Sequence, residues 1–127
     1  MKKIIMSLIM AVAVAGCAST TEKNPLAGKN FINETEGIRI TLNFEAKDLR
    51  LSGKVVNTYS APYELAGDNI IVGRMASTMM MPLGVSAQIE RDYFDFMSDK
   101  SPKHYILERG ILTLTNHEGK SYKFERI

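Results

Sequence analysis

The stretch Ile38–Val55, IRITLNFEAKDLRLSGKV, decides how this chain folds. Ile38, Ile40, Leu42 and Phe44 fall on one side of an extended chain, with Arg39, Thr41, Asn43 and Glu45 on the other. That is the period of two expected of a strand with one face in a core. Ala46-Lys47-Asp48 breaks the pattern, and Leu49, Leu51, Gly53 and Val55 resume it between polar neighbours. Two alternating runs separated by a short polar turn predict an antiparallel hairpin.

Working outward, weaker patterns predict short strands around Pro62–Leu65 and Asn69–Gly73, joined by a turn at Ala66-Gly67-Asp68. A helix is predicted over Val85–Ser98, because Ile89, Tyr93, Phe96 and Met97 form one apolar stripe at helical spacing. Ser86 is the expected cap at its start, and Ser101-Pro102 ends it. Glu90, Arg91, Asp92 and Asp95 are expected on its solvated face. The chain then returns to strands around Tyr105 and Leu107, Leu112 and Leu114, and Tyr122 and Phe124, with turns at Arg109-Gly110 and Glu118-Gly119. Strands, one helix, then a meander give an α+β domain. The expectation is a small curled sheet or partial barrel of about six to eight antiparallel strands, closed by one helix.

The N-terminus carries an address rather than a fold. Lys2 and Lys3 precede an apolar run, Ile4–Ala15, interrupted only by Ser7. As a helix that run would be roughly 18 Å long, too short for a hydrocarbon layer of about 30 Å, so residues 1–16 are expected to be a secretory signal. Val14-Ala15-Gly16-Cys17 resembles the lipobox of bacterial lipoproteins. The resemblance implies cleavage after Gly16, a diacylglyceryl group on the Cys17 thiol and palmitate-type acylation of the new amine. Two or more chains anchor stably, since each buried CH₂ contributes about 0.8 kcal/mol. Ala18 and Ser19 follow, with no aspartate after the cysteine, which implies outer-membrane sorting and a domain facing the periplasm. Residues 17–27 are polar, contain Pro25, and are expected to be the lipidated cysteine and a flexible linker. Residues 28–127 are expected to be the domain.

Charge excludes some partners. Removing Lys2 and Lys3 with the signal leaves 14 basic against 14 acidic residues, so the mature chain has no electrostatic footprint for nucleic acid. With 45% hydrophobic residues in 127, one ordinary core is expected, in a monomer. Cys17 is the only cysteine, so no disulfide or thiolate metal site is possible within the domain.

The residues from Gly28 to Ile127 resemble the META domain, also called HslJ-like or DUF306, of small secreted or lipidated bacterial proteins. Leu26-Ala27-Gly28-Lys29 opens the resemblance, and Phe31 stands where the family usually has tryptophan. Leu51-Ser52-Gly53, Val55–Tyr59, Met75–Pro82 and the helix with Glu90 and Phe94 continue it. Tyr105, Leu112-Thr113-Leu114, Gly119 and Tyr122-Lys123-Phe124 complete it. The signature positions carried over are Gly53, Asn57, Thr78 and Met80. Val56 and Met81 stand at the places of two family cysteines, so thiol chemistry associated with those places does not apply. The resemblance implies a β-rich barrel-like fold with one helix. It also implies a role in envelope stress or antibiotic tolerance through protein contacts, without enzymatic activity.

Chemistry is sparse elsewhere. His104 and His117 lack partners at zinc spacing, and neither a G-x-S-x-G elbow nor a phosphate-binding glycine loop occurs. No catalytic residue, metal site or cofactor is therefore expected. Asp92, Asp95 and Asp99 read as a solvated helix face. Met75, Met79, Met80 and Met81 read first as adaptable core filler, with a thioether site for Cu(I) as the sharper alternative. Tyr59, Pro62 and Tyr63 read either as an exposed aromatic turn that contacts a partner or as half-buried sheet residues. Alternatives to the envelope role are a binding module for a small apolar ligand or Cu(I), or an inhibitor of a wall hydrolase.

Overall fold

The β2–β3 hairpin forms as its alternation dictates. In the computed structural model, which describes residues 24–127, β1 spans Asn30–Thr35, β2 Ile38–Phe44 and β3 Arg50–Lys54. Ile40, Leu42, Phe44 and Leu51 are buried, and Asn43 faces Ser52 while Phe44 faces Leu51. Leu49 departs from the expected alternation. It lies in the turn ahead of β3 and is half exposed.

β4 spans Thr58–Ala66, β5 Asn69–Val72, and a two-residue β6, Ala76–Ser77, lies against β4. The helix α1 spans Val85–Ser98, followed by β7 (Lys103–Glu108), β8 (Ile111–Thr115) and β9 (Ser121–Arg126). Each main strand pairs antiparallel with the next, β5 with β7 across the helix, and β9 returns to β1. The β3–β4 pairing closes the sheet, so eight strands make a closed antiparallel barrel with one helix.

A barrel of eight strands has an interior that side chains can just fill. Here Phe31, Leu42, Tyr59, Ile70, Leu112, Leu114 and Phe124 fill it, all at most 1% exposed. Rings meet edge to face, as Phe31 with Phe44 (5.9 Å) and Phe44 with Tyr63 (5.3 Å), the arrangement aromatic quadrupoles prefer.

The helix lies across one end. Glu90 bonds to the β3–β4 turn at Val56 and Asn57, Asp99 at the helix end lies 3.3 Å from His117 in the β8–β9 turn, and helix residues share an open cleft with Thr35 and Glu36 of the β1–β2 turn. Ile89, Tyr93, Phe96 and Met97 point inward as the stripe requires. Ser86 does not cap the helix. Gly84 holds the cap position at φ 64°, and Ser86 Oγ donates to the Leu83 carbonyl (2.8 Å).

The opposite end is plugged by the chain's arrival. Leu26 is fully buried, Gly28 N donates to the Phe44 carbonyl (3.0 Å), and Asn24 Nδ2 donates to the Tyr63 hydroxyl (2.8 Å). The folded unit thus begins ahead of Gly28, because Leu26, isolated between Pro25 and Ala27, has a socket in the core. The residues of the expected signal and lipobox, Val14, Ala15, Gly16 and Cys17, lie outside the described residues. Among the described residues no helix is long and apolar enough to cross a membrane.

Candidate functional site

Asn57 sits in the β3–β4 turn and is 4% exposed. Its side chain uses its full hydrogen-bonding capacity. Oδ1 accepts from Met80 N (2.6 Å) and Thr78 Oγ1 (2.8 Å). Nδ2 donates to the Met80 carbonyl (3.0 Å) and to Glu90 Oε2 (2.7 Å). An amide offers two donors and two acceptor sites, and all four are taken.

Glu90 reaches this turn from α1. It is 5% exposed, and its Oε1 accepts from Val56 N (3.1 Å) and Asn57 N (2.7 Å). The expectation that Glu90 decorates the solvated helix face is therefore corrected. It lies beside Ile89 and Tyr93 on the inward side, and the N–H groups of the turn replace the water it gives up. The helix and the β3–β4 turn are joined by this carboxylate.

What the network holds in place is unusual. Thr78 N donates to the Thr58 carbonyl and Thr78 Oγ1 accepts from Thr58 N, extending β6 into a fixed edge. Beyond it the chain turns outward. Met79 and Met81 are each 87% exposed, Leu83 83%, and Met80 and Val85 about half. The core-filler reading of the methionines is corrected for Met79, Met80 and Met81, and only Met75 packs against the core. The loop stays out because Met80 is bonded through its backbone, while Pro82 and Gly84 deny it a helical continuation.

Below the network, Gly53 is fixed by crowding. A Cβ there would fall on the Thr41 carbonyl oxygen and against the Tyr59 hydroxyl. That hydroxyl donates to the Thr41 carbonyl (2.6 Å) and lies 2.5 Å from the Tyr93 hydroxyl. Burial pushes the Tyr59 and Tyr93 phenols well above the ordinary tyrosine range, and the Tyr122 phenol, near Asp92, is pushed up to about 12. Tyr59 and Tyr63 are at most 2% exposed in β4, so of the two readings open for them the sheet one holds, with both rings fully rather than half buried.

Lys103, which the sequence reading passed over, is fully buried. Its Nζ donates to the Asp99 carbonyl at the end of α1 (2.7 Å) and lies 5.5 Å from the Phe96 ring centre. Burial lowers its pKa, with Asp99 opposing. His117 Nδ1 lies 3.3 Å from Asp99 Oδ2, and His104 lies 4.0 Å from Asp68. Both histidines are half exposed, and among the described residues no group of three His, Cys, Asp or Glu is placed to hold a metal. An open cleft of about 610 Å³ lies along the β1–β9 seam, lined by Ile32, Glu34, Ile111 and Lys123, beyond the pairing of Phe31 and Ile32 with Arg126 and Glu125. Asn33 Nδ2 bridges it to the Lys123 carbonyl (2.8 Å).

The family model of the META domain matches residues 22–127. The chain belongs to the META domain family. A solved protein from Burkholderia xenovorans, determined by NMR, is similar to this META domain with TM-score 0.65 and 18% identity, covering 80% of this chain and 83% of the other. A second NMR structure gives TM-score 0.63 at 16% identity, covering 79% and 90%. These likenesses concern the fold. No curated protein matches the chain significantly.

The META positions carried over from sequence converge in space. Thr78 and Met80 each bond directly to Asn57, and Gly53, in the strand that leads to Asn57, lies against Tyr59. Val56 and Met81 each adjoin a bonded residue, and hydrogen bonds between Asn57 and Met80 tie together the segments that carry them. Glu90 was read as part of the matching helix and placed on its solvated face, not as a member of this site. Its signal was available in the helical wheel, where it sits between two inward residues.

Proposed function

We propose that this META domain is a non-enzymatic protein of the bacterial cell envelope. It is lipid-anchored through Cys17, on the outer membrane facing the periplasm, and supports envelope integrity under stress or antibiotic challenge through protein contacts. The observation that carries the contact reading is the loop Met79–Val85, which the Asn57–Glu90 network holds in solvent. Each large apolar side chain left in water forgoes about 1.5–3 kcal/mol of burial. Methionine-rich exposed surfaces suit adaptable partners, because the thioether is flexible and polarisable. The filled barrel interior speaks against a ligand held inside it.

Orientation supports the same reading. The chain enters the barrel at the Leu26 end, and the loop leaves from the helix end. A tether ahead of Asn24 therefore presents the loop away from the membrane that holds it.

A photo-reactive amino acid at Met79 tests this in living cells, with one at Glu108, by the β7–β8 turn of the other end, as control. One discrete protein adduct from position 79, lost on Leu83→Asp and absent from position 108, is the expected result. Adducts equal at both positions, or insensitive to Leu83→Asp, would overturn the contact role. The exposure of the thioethers favours one second reading, Cu(I) binding, which soft ligands select. Calorimetric titration of wild type against Met79→Leu/Met81→Leu decides it, since equal, negligible heats end that reading.

A further inference from the structure

We propose that Met79 and Met81 form a reversible oxidation site, where a two-electron oxidant of the hypohalous-acid class converts each thioether to a sulfoxide and turns the apolar loop polar. For its consequence in the cell, the inference rests on the loop being a contact surface. The chemistry stands without it.

Three observations carry it. Access is sharply graded. Met79 and Met81 are 87% exposed, Met80 between them is about half exposed, Met75 packs against the core, and Met97 is fully buried. Thioether oxidation follows access, so one fold holds reactive and protected methionines side by side. Second, no thiol competes within the domain, because the only cysteine is Cys17. Thirdly, the loop is held by backbone atoms of Met80 and by Thr78, not by any sulfur. A sulfoxide at 79 or 81 therefore changes the surface without withdrawing a bond that holds the loop.

In the reaction the sulfur lone pair attacks the chlorine of hypochlorous acid and the Cl–O bond breaks. Water then adds to the chlorosulfonium, chloride leaves, and a sulfur–oxygen bond remains. Sulfur loses two electrons and chlorine gains them; thioether and hypochlorous acid become sulfoxide, chloride and a proton. Methionine sulfoxide reductases reverse the change with a thiol reductant, returning the oxygen as water. The sulfoxide is polar, and the loop loses its affinity for apolar surfaces.

The test treats the full-length mature protein in detergent with graded hypochlorous acid and maps each methionine by mass spectrometry. Retention on a hydrophobic-interaction column and the far-ultraviolet circular dichroism are followed in parallel. The expected result is oxidation of Met79 and Met81 at doses at least about tenfold below those that modify Met97. The circular dichroism stays unchanged, and retention falls and is restored by reductase. Met79→Leu/Met80→Leu/Met81→Leu should keep its retention after the same dose. Oxidation of Met97 at the same dose, retention unmoved by sulfoxide at 79 and 81, or equal loss in the leucine variant would each overturn the proposal. None of these readouts needs a partner, so they fail or succeed independently of the cross-linking above.

Discussion

At Asn57 one amide side chain joins a turn, a loop and, through Glu90, a helix. Replacing it with alanine leaves the Met80 N–H and carbonyl without their partners and withdraws one of three N–H donors from a buried carboxylate. Asn57→Ala should cost about 2–4 kcal/mol in denaturant unfolding. It should also raise the hydrogen-exchange rate of the Met80 amide beyond what the global loss explains. Asn57→Asp should be at least as damaging, because it sets a carboxylate against Glu90. Gly53→Ala tests a different force. Its added carbon meets a backbone carbonyl that has no room to move, so a cost of about 3 kcal/mol is expected in the same measurement. Asn57, Thr78, Met80 and Gly53 were legible in the sequence through family likeness, yet their physical reason was not. Only the fold brings residues 57 and 80 together. Lys103 gave no local signal, because its burial depends on where α1 ends.

At the scale of elements, α1 seals the barrel with Tyr93 packed against Tyr59 of β4 and Tyr122 of β9, three phenols that resist ionisation. Tyr59 and Tyr93 have folded pKa values above the ordinary 10.0, held there by burial, and Tyr122 titrates near 12. A raised folded pKa means that above about pH 10 the unfolded chain has released protons that the folded chain retains. This contribution to stability is complete below pH 10 and is lost as pH rises through the folded values. Unfolding midpoints should therefore fall steeply above pH 10, and Tyr93→Phe should make the fall shallower. A wild-type midpoint that is flat there would contradict the burial argument.

The hairpin β2–β3, the helix and β7–β9 were legible because each buries a face of its own. β1 was missed because only Phe31 along it is buried. It is held instead by six register pairs with β2 through a Glu36-Gly37 turn, both residues at positive φ. That turn, just ahead of a clear strand, was the available hint. β4 was read short because Pro62 interrupts its pattern. The proline is tolerated there because it faces outward, and its carbonyl accepts from Gly73 N (2.8 Å).

At the scale of the whole molecule, the barrel has different chemistry at its two ends. One end receives the chain through Leu26 and the other displays Met79–Val85. The proposed anchor belongs to the first end. A Cys17→Ala chain should leave the detergent phase of a Triton X-114 extraction, whereas wild type stays in it.

The two-ended arrangement is tested most directly by energy transfer in proteoliposomes. A donor dye on Lys47→Cys or on Met81→Cys is paired with an acceptor lipid at the membrane surface. Strong transfer from position 47 and weak transfer from position 81 is the result predicted. Equal or stronger transfer from position 81 would put the methionine loop on the bilayer and contradict the account.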